Sequence, residues 1–184
     1  MDGKAGLRGV DGVSKGIVVC GYPGTGKSSI AGYKKTIDLE SSFFSDRSDK
    51  NWSRRYASVA IDIARQGYTV FVSTHKEVLE QLFAAGIPEE SVKIVIFCPP
   101  RYWKQEWISR LDDRYKQNPC PKNLKALERV RNFYNDDIFE LVNNERNWPV
   151  FQPEAMDYDL RNYVSAIQYE YLDNWKEVRD GEAN

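Results

Sequence analysis

The stretch that decides the fold is Gly21-Tyr22-Pro23-Gly24-Thr25-Gly26-Lys27-Ser28. It matches the phosphate-binding pattern G-x-x-x-x-G-K-[ST] at every fixed position. The apolar run 17–20 before it predicts a buried strand, and the segment 28–35 after it is compatible with a helix. A strand, a glycine-rich turn and a helix in this order predict a loop that wraps an anion in backbone N–H groups at a helix N-terminus.

Such a loop predicts ATP and Mg²⁺ as ligands. Lys27 is expected to reach the β- and γ-phosphates, and the Ser28 hydroxyl is expected to hold Mg²⁺. The residues expected to line the nucleotide are Gly21, Tyr22, Pro23, Gly24, Thr25, Gly26, Lys27, Ser28 and Ser29.

Length and composition favour one domain with a real core. The chain has 184 residues, of which 41 % are hydrophobic. We expect a flexible leader at 1–15 and a single domain at 16–184. No apolar run approaches the roughly 20 residues that span a bilayer, so neither a signal peptide nor a membrane partner is expected. Three cysteines without metal-type spacing favour a reducing cytoplasm.

Apolar runs alternate with helix-like stretches along the chain. The runs are 16–20, 36–39, 69–73, 92–98 and 149–151. The helix-like stretches are 26–35, 52–66, 76–85, 102–116, 124–143 and 159–178. The near-continuous apolar run at 92–97 is typical of a parallel sheet covered on both faces. This order predicts a doubly wound α/β fold with the nucleotide at the carboxyl ends of the strands.

Polar residues follow the second and third apolar runs. Asp38 and Glu40 lie at the end of the second run, where either carboxylate can orient an acceptor; Asp38 is also a candidate Mg²⁺ ligand through water. A helix cap or turn is the alternative role. His75 follows the third run and either contacts the acceptor or caps a helix. No Asp-Glu pair of the kind used by hydrolytic ATPases is present there, which disfavours hydrolysis as the main reaction.

Two clusters of arginines and aromatics flank these positions. Arg54, Arg55 and Tyr56 open a helix where they can grip and stack on an acceptor nucleotide, with core packing as the alternative for the aromatic. After the fourth run, a helical stripe is predicted that contains Trp103, Trp107, Arg110 and Arg114. Its arginines are expected to neutralise phosphate charge from a mobile lid, and an ordinary solvated helix is the alternative.

The phosphate loop, the acidic stretch 37–42 and the arginines after the fourth run together resemble P-loop kinases of the nucleoside monophosphate kinase type. More narrowly, they look like small phage-encoded (deoxy)nucleotide or adenylate kinase-like proteins. The resemblance implies a P-loop NTPase three-layer fold, a five-stranded parallel sheet in the order 2-3-1-4-5, and a helical lid at about 101–123. It carries Lys27 and Ser28 over as loop residues, and Arg110 and Arg114 as lid arginines. The Asp-Gly-Phe-Pro-Arg signature of adenylate kinases is absent, and Ser73-Thr74-His75 stands there instead.

The expected function is transfer of the ATP γ-phosphate to a nucleotide, first of all a (deoxy)nucleoside monophosphate, with Lys27, Asp38, Arg110 and Arg114 as catalytic residues. An alternative is a kinase for a nucleic-acid end or a modified base, because residues 101–131 carry nine Lys or Arg against four acids and the five tryptophans can stack on bases. A third reading is a nucleotide-gated switch or assembly factor. The sequence leaves the acceptor and the oligomeric state open.

Overall fold

The computed structural model describes residues 15–44, 49–88 and 91–172. The strands are β1 (Gly16–Gly21), β2 (Thr36–Asp38), β3 (Thr69–Ser73), β4 (Val92–Phe97) and β5 (Val150–Phe151). The helices are α1 (Trp52–Ala64), α2 (Lys76–Ala84), α3 (Lys104–Gln117), α4 (Pro121–Val142) and α5 (Leu160–Tyr171). Residues 1–14 of the predicted leader and 173–178 of the predicted last helix lie outside the described ranges.

The five strands form one parallel sheet in the order β2-β3-β1-β4-β5. This confirms the predicted α/β fold and the order 2-3-1-4-5. Gly21 at the end of β1 lies opposite Ser73 of β3 on one side and Phe97 of β4 on the other. The carboxyl end of β1 therefore opens between two neighbouring strand ends, which is where ligands bind in open parallel sheets.

Both faces of the sheet are covered, as the apolar strands require. Val18, Cys20 and Ile96 face a large core formed with α1 to α4. Val19 and Phe97 face a smaller core formed with α5 and with the segment after the phosphate loop. Within the described residues, no helix is long and apolar enough to cross a membrane.

The prediction of a helix at 26–35 is wrong. The segment forms two short 3-10 turns, Lys27–Ser29 and Tyr33–Lys35. Lys34 and Lys35 have φ of 44° and 57°, and such left-handed residues end any helix. The chain has only a few residues in which to turn back into β2, and it packs Ile30 and Tyr33 against the α5 side as it turns. The phosphate loop is therefore followed by two short turns without a long helix behind it.

Candidate functional site

The phosphate loop leaves β1 at Gly21 and bends through two glycines. Gly24 and Gly26 have φ of 88° and 91°, the left-handed region that favours glycine. A Cβ on Gly24 would also lie 3.1 Å from Leu111 Cδ2 and from Trp107 Nε1. The loop thus needs glycine at position 24 both for its backbone conformation and for the close approach of α3.

Lys27 folds back onto the loop itself. Its Nζ donates to the carbonyl oxygens of Gly21 at 2.6 Å and Tyr22 at 3.3 Å. Burial lowers the pKa of Lys27 to about 8, while the nearby carboxylates of Asp38 and Glu40 act in the opposite direction. The side-chain nitrogen of Lys27 therefore lies inside the loop and is held there by backbone oxygens.

Ser28 is joined to Asp38. The Ser28 hydroxyl donates a 2.8 Å hydrogen bond to Asp38 Oδ2 at the end of β2. Among the described residues, no group of three or more His, Cys, Asp or Glu side chains is gathered for a metal. Mg²⁺ in nucleotide sites needs no such cage, because it keeps several waters and uses one or two carboxylates together with substrate phosphates. The hydroxyl of Ser28 and the carboxylate of Asp38 fit that donor set.

A hydrogen bond joins helix α3 to the phosphate loop. Trp107 is fully buried, and its Nε1 donates to Pro23 O at 2.8 Å. Tyr158, from the connection between β5 and α5, donates its hydroxyl to Thr25 O at 2.8 Å. Between these two rings lies the Arg110 guanidinium, 5.1 Å and 5.3 Å from their centroids. The predicted stripe does bring Trp107 and Arg110 together, but its tryptophans belong to the core.

Helix α3, which forms most of the expected lid, is packed against the core of the protein. Trp103 and Trp107 pack in the same core as α1 and α2, and two hydrogen bonds pin the loop to its neighbours. Arg110 NH1 is buried and has no hydrogen-bond partner among the described residues. Arg114, one turn further along α3, is exposed, and its positive charge acts on Lys27. Arg110 is thus a fixed donor, and Arg114 lies at the solvent side of the same cleft.

A cross-cleft ion pair joins Glu40 to Lys122 near the start of α4. Both charges act on Lys27: Glu40 raises its pKa and Lys122 lowers it. The ion pair therefore joins the segment after β2 to the start of α4 within electrostatic reach of Lys27. Lys122 was not singled out in the sequence, where only the general basic character of 101–131 indicated it.

The residues expected to hold the acceptor are only partly brought to the cleft. Tyr56 is fully buried, donates its hydroxyl to Leu39 O at 2.6 Å and accepts from Ser73 N at 3.1 Å. It therefore ties the ends of β2 and β3 together, and the expected stacking on a base is wrong because neither face of its ring is free. Arg54 and Arg55 are exposed on α1, and Arg55 pairs with Asp49. No contact of these arginines with the phosphate loop is found among the described residues.

His75 lies at the N-cap position of α2, with its ring edge-to-face against Trp52 at 6.1 Å. It makes no side-chain cap hydrogen bond, so the capping alternative is not realised. Loss of surrounding water lowers the pKa of His75 against the opposing charge of Glu77, and the charges of Arg129 and Lys27 add to the lowering. The ring is therefore neutral near pH 7 and lies within the electrostatic reach of the loop lysine.

A second network on α4 also reaches the loop. Arg129 Nε donates to Asp137 Oδ2 at 2.8 Å, and the Tyr22 hydroxyl donates to the same oxygen at 3.1 Å. Tyr22 and Asp137 are 115 residues apart in the chain. No local sequence pattern marks such a contact, and neither Arg129, Asp137 nor Tyr158 was expected at the site.

No protein-family model matches this chain, and a search of curated proteins found no match. The kinase resemblance therefore remains a prediction that rests on the residues of the site.

Proposed function

We propose that the protein is an ATP- and Mg²⁺-dependent phosphotransferase that acts on a nucleotide, first of all a (deoxy)nucleoside monophosphate. One observation carries the proposal: Lys27, the Ser28–Asp38 hydrogen bond and the half-buried Arg110 surround the same glycine loop. A cation, a magnesium-type hydroxyl–carboxylate pair and a fixed guanidinium are the groups that phosphoryl transfer requires, because its catalysis consists of positioning and charge stabilisation.

Each of these residues has a defined task. Lys27 exchanges the carbonyl oxygens of Gly21 and Tyr22 for phosphate oxygens when a triphosphate enters the loop. Ser28 and Asp38 would hold Mg²⁺, which would supply charge neutralisation on the phosphates. Arg110 offers an N–H that has no other acceptor among the described residues, so it can meet charge that develops on the transferred group. Arg114 adds a second guanidinium from the solvent side.

The candidate residues for the acceptor are Glu40, His75 and Lys122, each of which interacts electrostatically with Lys27. Glu40 and Lys122 form an ion pair across the cleft, and His75 packs against Trp52. Two carboxylates, Asp38 and Glu40, lie close enough to act on the Lys27 charge and are the candidates for orienting an acceptor hydroxyl or phosphate. The half-buried ring of Trp52 is the aromatic surface available to a base on this side.

The two rival functions have less support. Binding of a nucleic-acid strand by base stacking needs exposed aromatic rings. Two of the tryptophans expected to provide them, Trp103 and Trp107, are buried in the core. Hydrolytic ATPases use an Asp-Glu pair near the end of this strand, and the residues after β3 here are Thr74 and His75. The phosphotransferase therefore accounts for more of the site.

The test is to incubate the protein with ATP and Mg²⁺ and, separately, with nucleosides, nucleoside monophosphates and single-stranded oligonucleotides. ATP consumption that depends on one class of monophosphate supports the proposal. Consumption that depends only on oligonucleotides supports a nucleic-acid kinase instead. Slow hydrolysis that no acceptor changes supports a switch. Lys27→Met is the matched inactive variant for every condition.

A further inference from the structure

A separate pocket of about 80 Å³ lies between α2 and α4, next to the phosphate loop. Its floor is apolar and includes Leu79, Ile96 and Leu141. Its polar wall carries three cations, Lys76, Arg129 and Arg146, and two carboxylates, Asp137 and Glu140. Asp137 is already neutralised by its ion pair with Arg129. Lys76 and Arg146 therefore face the pocket with only Glu140 to balance them.

Arg146 is held rigidly at the wall of this pocket. Its guanidinium lies between the rings of Phe83 and Trp148, at 5.5 Å and 5.4 Å from their centroids. Asn144 fixes the same turn by accepting from Trp148 N at 2.9 Å and donating to Trp148 O at 3.2 Å. Arg146 Nε is buried and has no hydrogen-bond partner among the described residues. Arg146 also lines the pocket, so its fixed positive charge favours an anion there.

The start of α2 contributes a second favourable feature for an anion. Thr74 and Lys76 line the pocket, and the nine-residue helix begins there. His75, at the N-cap, gives its first turn no side-chain acceptor. Val78 N and Leu79 N donate to His75 O. The N–H groups that lack a helical acceptor at the start of α2 are therefore those of Lys76 and Glu77, which carry the positive end of the helix dipole. The helix start and Arg146 therefore favour negative charge in the same small space.

The pocket is connected to the phosphate loop on two sides. Arg129 and Asp137 line it, and Asp137 accepts the hydrogen bond from Tyr22 of the loop. Cys20, the residue before the loop, lies within electrostatic reach of Arg146. Burial raises the pKa of the Cys20 thiol to about 12, and the charge of Arg146 opposes that rise. An anion that attracts Arg129 would weaken the ion pair between Arg129 and Asp137. It would thereby change the hydrogen bond that Asp137 accepts from Tyr22.

We propose that this pocket between α2 and α4 binds a phosphate monoester group, with Lys76, Arg146 and the first turn of α2 as its ligands. The group has two possible sources, the phosphate of the acceptor nucleotide or that of a separate small effector. The first source rests on the proposed function, whereas the binding of phosphate itself does not. The volume of the pocket, about 80 Å³, favours a single phosphate group over a whole nucleotide. The rest of the ligand therefore lies outside the pocket.

The binding test titrates inorganic phosphate into the ligand-free protein by calorimetry. We expect saturable binding, weakened roughly tenfold or more in Lys76→Met and in Arg146→Gln, because each variant loses a charge-assisted hydrogen bond. Lys125→Met, an exposed lysine of α4 outside the pocket, is the matched control and keeps wild-type affinity. Lys76 is exposed, so its variant keeps the test valid if Arg146→Gln does not fold. Wild-type affinity in Lys76→Met, or no phosphate binding to the wild type, overturns the proposal.

A second arm distinguishes the two sources. Phosphate that competes with the acceptor nucleotide identifies the pocket as the place of the acceptor phosphate. Phosphate that changes MgATP affinity without competing with the acceptor identifies an effector site, and Asp137→Asn then removes that coupling. If transfer to every acceptor fails but the phosphate titration behaves as expected, the proposed function is wrong and the phosphate site stands.

Discussion

Ser28 at the end of the phosphate loop donates a 2.8 Å hydrogen bond to Asp38 on the edge strand β2. The loop leaves β1, and β3 lies between β1 and β2 in the sheet. The neighbouring position at the end of β3, opposite Gly21, is occupied by Ser73. The carboxylate that accepts the hydrogen bond from the loop therefore comes from two strands away. The proposed magnesium site depends on this carboxylate.

Replacing Asp38 by Asn tests this carboxylate. The amide keeps the size of the side chain but loses the charge that favours Mg²⁺. We expect the Mg²⁺ concentration for half-maximal activity to rise about 10- to 100-fold, the range for residues that support a metal site. Titration of activity with MgCl₂ measures it. Asp62→Asn, on the exposed side of α1, is the control and leaves the titration unchanged; an equal shift in both variants would refute the role of Asp38.

The pH dependence of nucleotide binding follows from Lys27. Burial, together with the charges of Lys122 and Arg114, lowers its pKa to about 8 against the opposing effect of Asp38 and Glu40. Bound phosphates favour the charged form, so MgATP binding takes up a proton above pH 8. Affinity is therefore constant below pH 8 and falls by up to about tenfold per pH unit above it. Calorimetry between pH 7 and pH 9.5 measures the change, and an affinity that stays level would contradict it.

The lowered pKa of Lys27 also makes the free energy of unfolding depend on pH. Between the folded value of about 8 and the ordinary value of 10.5, the unfolded chain keeps the Lys27 proton that the folded chain has released. The free energy of unfolding therefore rises with pH across that window. Urea unfolding of wild type and Lys27→Met, compared at each pH, isolates this contribution, because the variant lacks the titrating group. Parallel pH profiles would show that Lys27 titrates normally.

The attachment of the loop to Tyr158 is tested by Tyr158→Phe. The change removes only the hydroxyl that donates to Thr25 O at 2.8 Å. We expect a loss of about 1 kcal/mol in the free energy of unfolding, which corresponds to roughly 3 °C in Tm for a chain of this size. Tyr102→Phe, whose ring is 76 % exposed, is the control and keeps the wild-type Tm. Equal melting temperatures for both variants would mean that the hydroxyl does not hold the loop.

Arg110 is tested by Arg110→Met and Arg110→Lys. The methionine variant keeps part of the packing between Trp107 and Tyr158 but loses every donor, so we expect kcat to fall roughly 100-fold or more. The lysine variant restores charge without the planar group that lies between the rings, and it should recover only part of the rate. Arg101→Met changes an exposed arginine before α3 and leaves kcat unchanged. Full activity in Arg110→Met would remove this residue from the site.

Features that depend on local pattern were predicted well from the sequence. The apolar runs became the five strands, and helices formed at the expected places after β2 to β5. The failure at 26–35 has a physical cause, because the left-handed Lys34 and Lys35 and the packing of Ile30 into the α5 side override a weak helical preference. Trp103 and Trp107 were correctly placed on one helical stripe, but a stripe alone does not say which side of the helix is buried.

The parts of the site that depend on distant contacts were not predictable. Asp137 meets Tyr22 across 115 residues, and Lys122 meets Glu40 across 82. A single sequence contains no record of such pairs, because the sheet order and the packing of α4 decide them. For the same reason Tyr56 was indistinguishable from an exposed aromatic until its hydroxyl was found between β2 and β3.

The most direct measurement follows the phosphoryl group itself. ATP labelled at its γ-phosphate is incubated with Mg²⁺, a mixture of ribo- and deoxyribonucleoside monophosphates and either wild type or Lys27→Met, and the products are separated and identified by mass. The account predicts labelled nucleoside diphosphate in the wild-type reaction and none with Lys27→Met. Label that appears only as inorganic phosphate, or a Lys27→Met variant as active as wild type, would contradict it.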